Sequence, residues 1–307
     1  MFNYTEQNDH VVPCVQIIIT NDKGEILLTH RTVEPYQGGW GIVGGRIDVS
    51  DDSVESAVKR EVREETGYEV EILNLIDIKA KGKSSVPLDT RFYAVSIIYE
   101  VRIIGGFLQK NYEADDFRWV LPEQALKEKL IFDHNEVVAL YLKNKEKNKL
   151  IPATRSYFDE YWGKSYDYVQ QNLFVRFATN AIVFNDKNEI LLARRSQKPF
   201  VGDWDFPGGH MYVEESIVEC CQREILEELG VKCIVGDLFH VYSDKGHSPK
   251  AADVISFYFV KLLGQDFKKN IEMDDFKYFS LDNLPANIAY HNQCSLNDIK
   301  NWLKNKN

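Results

Sequence analysis

Three glutamates, Glu224, Glu227 and Glu228, stand at i, i+3 and i+4 directly after Arg223. On a helix that spacing puts all three carboxylates on one face, where like charges repel. Two environments relieve the repulsion: solvent, or a hard divalent cation, which oxygen ligands from carboxylates suit. Upstream lies the pair Gly208-Gly209, whose backbone can approach other groups closely and offer carbonyls to a metal or amides to a phosphate. Between pair and helix lies Glu215, with seven residues separating it from Arg223. The same types recur earlier in the chain as Gly44-Gly45, then Arg60, Glu61, Glu64 and Glu65. Both sets leave the same two readings open, a solvated acidic face or a site for a hard divalent cation.

The recurrence reaches far beyond the glutamates. Asn21-Asp-Lys-Gly-Glu-Ile-Leu-Leu28 returns as Asn185-Asp-Lys-Asn-Glu-Ile-Leu-Leu192, and Arg31, Pro35 and Trp40 return as Arg195, Pro199 and Trp204. Later, Glu113-Ala-Asp-Asp-Phe-Arg-Trp119 answers Glu272-Met-Asp-Asp-Phe-Lys-Tyr278. A period this long means a duplicated domain and not a solenoid.

Each copy predicts the same plan. An apolar strand (Val11 to Thr20; Phe174 to Phe184) turns at Asn-Asp-Lys into a second (Ile26 to Thr29; Ile190 to Ala193). After the glycine loop comes a helix from about Ser53 to Thr66, or Ser216 to Leu229, closed by Gly67 or Gly230 as left-handed caps. Ile217, Cys220, Cys221, Ile225 and Leu229 form its apolar stripe in the second copy. Strands follow at Phe92 to Val101 and Val254 to Lys261, with a short helix near Pro122 and a last helix over Ser295 to Lys304. This mixture predicts an α/β fold of two tandem α/β/α sandwich domains, each around a mixed β-sheet. The domains are placed at residues 1–150 and 165–307, with 151–164 as linker.

The segment from Gly209 to Val231 resembles the Nudix box, Gly-x5-Glu-x7-Arg-Glu-U-x-Glu-Glu-x-Gly-U with U bulky and aliphatic, and matches it at every defined position. The upstream Trp204-Asp-Phe-Pro-Gly-Gly209 is also typical of that family, and the resemblance covers both halves. It implies hydrolysis of a nucleoside diphosphate linked to another moiety, using magnesium or manganese, with ADP-ribose or another nucleotide sugar foremost on family frequency. It implies Glu224, Glu227, Glu228 and the Gly209 backbone as metal ligands, with Arg223 and Glu215 bracing loop and helix by ion pairing. The equivalent set in the first copy is Glu61, Glu64, Glu65, Gly45 and Arg60.

That copy departs from the box: Val43 replaces the proline found at Pro207, Tyr68 replaces an aliphatic residue, and one residue is inserted. Keeping the seven-residue spacing to Arg60 puts the bracing acid at Asp52. Candidates for taking a proton from water are the box glutamates, or Glu113 and Glu272. Gly44, Gly45, Gly208, Gly209, Arg31 and Arg195 are candidates for gripping phosphate, and Tyr36 and Phe200 for stacking a base or packing a loop. Gly39-Trp-Gly41-Ile-Val-Gly44 fits the dinucleotide-binding string, but no helix opens at its third glycine and the second copy lacks it.

Composition narrows the partners. The chain has 307 residues, 37 basic against 47 acidic, for a net charge of −10. That opposes broad binding to nucleic acid or anionic membranes. A small nucleotide is the expected partner, and oligomeric state is not specified. Five cysteines with no CxxC pair point to a reducing compartment. The first ten residues lack the basic and apolar regions of a secretory leader, so a cytoplasmic protein is expected. The rival function is a nucleotide sensor in which one or both domains bind without turnover.

Overall fold

The computed structural model describes residues 11–80, 93–153, 174–213, 215–244, 251–290 and 292–306. The chain divides into two compact units, residues 1–156 and 157–307.

In the first unit the strands are β1 (Val12–Thr20), β2 (Ile26–Arg31), β3 (Trp40–Gly41), β4 (Val43–Arg46), β5 (Tyr68–Ala80), β6 (Ala94–Gly106), β7 (Ala114–Val120) and β8 (Ile151–Pro152). Helix α1 (Val54–Thr66) lies between β4 and β5, and α2 (Pro122–Ala125) and α3 (His134–Glu146) follow β7. The sheet runs β3-β2-β1-β6-β5-β8, with β4 also on β1 and β7 on β2. Only β1 and β6 pair in parallel, so the sheet is mixed. Central β1 is buried from Pro13 to Ile19, as a strand covered on both faces must be. One face packs α2 and α3, with Ile18, Ile26, Leu28 and Ile98 against Ala125, Val137, Val138 and Tyr141. Helix α1 packs on β1, β4 and β5 through Val54, Ala57, Val58 and Val62. Burying each valine is worth about 1.5–3 kcal/mol over leaving it in water.

The second unit repeats this plan with β9 (Phe174–Ile182), β10 (Ile190–Arg195), β11 (Trp204–Asp205), β12 (Gly208–His210), α4 (Ile217–Leu229), β13 (Cys233–Asp244), β14 (Ala251–Leu262), β15 (Met273–Phe279) and α5 (Asn292–Lys306). Its strands form two ladders, β11-β10-β15 and β12-β9-β14-β13, with β9 and β14 parallel. The expected apolar stripe of α4 is buried throughout.

Both long helices begin and end where their sequences predict. Ser53 and Ser216 close capping boxes, each accepting from the backbone N–H three residues on. Gly67 and Gly230 sit at φ 78° and 74°, the left-handed region in which a Cβ is strained.

One expectation changes. Ile151–Pro152, placed in the linker, is a strand on β5 and so belongs to the first sheet. The short helix at Pro122 is a single turn, and a separate thirteen-residue helix, α3, follows it. Phe92 and most of the expected linker lie outside the described residues. All five cysteines are buried thiols outside any disulfide. Among the described residues no helix is long and apolar enough to cross a membrane.

Candidate active site

In both units a glycine-bearing strand passes over the glutamate face of the long helix. A Cβ on Gly209 would lie 2.5–2.6 Å from the Glu224 carboxylate, and one on Gly45 would collide with that of Glu61. Only glycine lets backbone and carboxylate come this close. The neighbouring glycine also contributes: Gly208 N–H donates to Glu228 at 2.8 Å, and Gly44 N–H to Glu65 at 3.2 Å.

One arginine organises each face. Arg223 grips Glu215 with two hydrogen bonds of 2.6 and 3.0 Å and reaches Glu224 at 2.7 Å and Glu227 at 3.1 Å. It also donates to the His210 carbonyl at 2.9 Å, tying helix to strand. Arg60 does the same with Glu61 at 2.7 Å, Glu64 at 3.1 Å and the Arg46 carbonyl at 3.0 Å. Such fork-like charge-assisted bonds fix geometry as well as charge. These contacts hold both arginines firmly protonated.

The bracing acid of the first unit is Asp51, not Asp52. Asp51 takes Arg60 through bonds of 2.8 and 2.7 Å. Five residues separate Gly45 from Asp51, as five separate Gly209 from Glu215, so the inserted residue follows the acid. Asp51→Asn should therefore destabilise the first unit by about 1–3 kcal/mol, because it weakens a nearly buried charged pair. Asp52→Asn should leave the Arg60 anchor intact. Urea unfolding of the two variants checks this.

Burial sets the proton affinities. It raises Glu61 and Glu224, pushes Glu65 up to about 8, and raises Glu228 well above the usual carboxylate range. Loss of solvation is the leading cause at each, with the neighbouring glutamate adding to it at Glu65 and Glu228. A carboxylate so placed gains its charge easily only beside a cation.

The donors are hard oxygens, and the glycine strand leaves their carboxylates uncovered by any Cβ, so a magnesium-like ion suits them. Among the described residues no three such groups already converge on one point. The arginines hold part of each set instead, and Glu64 and Glu227, 60% and 56% exposed, are free to swing toward an ion.

In the first unit these groups border a cavity of about 510 Å³, lined by Gly44, Gly45, Glu61, Glu64 and Glu65 together with Arg31 and Glu113. Its aromatic side includes Phe132, which packs edge-on against Tyr36 at 4.7 Å; in the second unit Phe200 packs at a tilt on Tyr290 at 4.8 Å. Glu113 and Glu272 sit immediately before β7 and β15, as expected. Two residues not singled out in the sequence hold them there. Asn111 accepts from the Glu113 N–H and donates to the Glu65 carbonyl at 2.6 Å; Asn270 does so to Glu272 and to the Glu228 carbonyl at 2.7 Å. The repeated Asn-x-Glu was the available signal. His210 meets Asp253 at 3.1 Å.

Arg31 and Arg195 behave differently. Both donate to a proline carbonyl, Pro35 or Pro199, but Arg195 also pairs with buried Asp205 at 2.8 Å. The first unit has Gly41 there, and His134 fills the space, accepting from Ile42 N–H at 3.0 Å. Burial lowers His134 to about 4. Between pH 6.5 and 4 the unfolded chain therefore binds the extra proton, and stability falls as pH drops through that window. His134→Gln should flatten this dependence in urea midpoints taken from pH 7 to 4.

A tandem α/β protein with a duplicated carboxylate–arginine site is thus defined. The NUDIX domain model matches residues 11–141 and 175–297, and the chain belongs to that family, the Nudix hydrolases, twice over. An ADP-ribose pyrophosphatase of Methanocaldococcus jannaschii is 30% identical over 125 residues, 41% of this chain and 73% of that protein. An 8-oxo-dGTP diphosphatase of Buchnera aphidicola is 27% identical over 111 residues, 34% of this chain and 83% of that one. An ADPR responsive transcriptional repressor, NtrR, of Acinetobacter baylyi is 27% identical over 159 residues; the match takes in 48% of this chain and 62% of the repressor.

Proposed function

We propose that each unit hydrolyses the phosphoanhydride of a nucleoside diphosphate linked to another moiety, with ADP-ribose or another nucleotide sugar as leading substrate. The observation that carries this reading is the arginine-braced triple-glutamate face beneath a glycine strand, present in both units. A divalent ion held there would supply neutralisation of the charged oxygens that shield phosphorus, and would make attacking water more acidic. The chain's own work is to hold that charge in place. Arg223 and Arg60 fix the helix to the strand, and Gly208 and Gly44 orient the deepest carboxylate. Glu113, beside the first cavity, is positioned by Asn111 to take a proton from water, and Glu272 has the equivalent support.

Turnover of ADP-ribose, other nucleotide sugars, dinucleoside polyphosphates, NADH and oxidised nucleoside triphosphates, with magnesium or manganese and products identified by mass spectrometry, tests the proposal. A nucleoside monophosphate plus a phosphorylated second moiety supports it; no cleavage of any phosphoanhydride contradicts it. The similarity to an ADPR responsive repressor favours a second reading, in which one unit binds nucleotide without turnover. Saturable binding without products would then be found at that unit once the other is silenced by Glu64→Gln or Glu227→Gln.

A further inference from the structure

The two units differ at three coordinated positions beside the arginine that ends the second strand, Arg31 or Arg195. Gly41 pairs with Thr29 in the first unit as Asp205 pairs with Ala193 in the second. The Trp40 carbonyl accepts from Ile131 N–H, and that of Trp204 from Ala289 N–H. His134 N–H then donates to the Ile131 carbonyl as Asn292 N–H does to that of Ala289. The trio Gly41, Ile131 and His134 thus stands where the other unit has Asp205, Ala289 and Asn292.

The exchange is concerted. A Cβ on Gly41 would lie 2.5 Å from His134 Nδ1 and 2.6–2.8 Å from the Ile131 side chain, so an aspartate does not fit beside that pair. In the second unit smaller Ala289 and Asn292 leave room, and Asp205 bridges Asn292 at 2.6 Å and Arg195 at 2.8 Å. Asp205 and Arg195 are both largely buried, 7% and 17% exposed, so their charges cancel locally. Among the described residues Arg31 donates to the Pro35 and Glu34 carbonyls, lies over Phe132, and makes no ion pair with a carboxylate. It lines the cavity that holds the first glutamate set.

We propose that this exchange separates the two units by substrate charge. The first uses Arg31 to bind an additional phosphate and favours nucleoside triphosphates; the second, with Arg195 neutralised by Asp205, favours nucleoside diphosphates joined to an uncharged sugar. The inference rests on the phosphoanhydride reading above. Charge-assisted contacts from a guanidinium to phosphate are among the stronger polar contacts available, and an arginine already paired has less to offer.

The test uses the full chain with one unit silenced, Glu227→Gln to read the first and Glu64→Gln to read the second. Turnover and equilibrium binding are measured for 8-oxo-dGTP and ADP-ribose with magnesium. Arg31→Gln is expected to raise KM and Kd for the triphosphate about 10-fold and those for ADP-ribose less than about 3-fold. Asp205→Asn is expected to shift the second unit's preference about 5-fold toward the triphosphate. Should Asp205→Asn not fold, the triple change Gly41→Asp, Ile131→Ala and His134→Asn in the first unit is expected to lower its triphosphate preference. Equal effects on both nucleotides, or an unchanged preference, would overturn the inference. Differential binding with no turnover in any form would instead leave the charge assignment standing and remove the enzymatic reading.

Discussion

Excess chelator is expected to reduce turnover by both units to background, and magnesium or manganese to restore it. Glu65 and Glu228 are buried carboxylates whose protons are held too tightly for ready ionisation without a cation nearby. Glu61 and Glu224 share that tendency, and the arginine on each face is already committed to several acceptors at once. Loading the face with a cation should also stabilise the fold, by about 2.7 kcal/mol when the ion stands at a hundred times its dissociation constant. A thermal scan with and without ion reads this directly. Full activity in chelator, or a melting temperature indifferent to the ion, would remove the cation from the account.

Glu64→Gln and Glu227→Gln should each lower one unit's turnover by about 10²–10³-fold, the scale seen when one preorganised charge-stabilising group is lost. Both side chains are more than half exposed, and each gives up only an i,i+4 contact with its arginine, so folding should change little. Sites in separate units normally act independently, and losses should therefore add. Each single variant should retain the other unit's activity, and the double variant should retain none. If Glu227→Gln alone removed every activity while Glu64→Gln removed none, the first unit would be a scaffold or a sensor.

Much of this was legible from residue spacing because the signals are local. Ser53 and Gly67, or Ser216 and Gly230, delimit a helix within a few residues of chain, and i, i+3, i+4 spacing determines which side chains share a face. The duplication made each assignment in one copy a check on the other. What escaped depended on contacts across the chain. Counting back from Arg60 selects Asp52, whereas distance from Gly45 selects Asp51, which the loop after β4 places against the guanidinium. Helix α3 gathers its apolar residues in one run, Val137 to Leu142, and buries polar His134 and Asn144 on either side of it, so its periodicity is weak. Ile151–Pro152 is two residues long and becomes a strand only through its partner β5. The contrast between Arg31 and Arg195 needs three positions from distant segments, which no local pattern joins.

The central claim is that water attacks phosphorus in each unit, and hydrolysis in heavy-oxygen water tests it most directly. The measurement is made on the natural chain, on Glu64→Gln and on Glu227→Gln, with the products resolved by mass spectrometry. One heavy oxygen on a phosphate product in all three, and no product from the double variant, is the predicted result. Label on a sugar carbon, or labelled phosphate persisting in the double variant, would contradict the account.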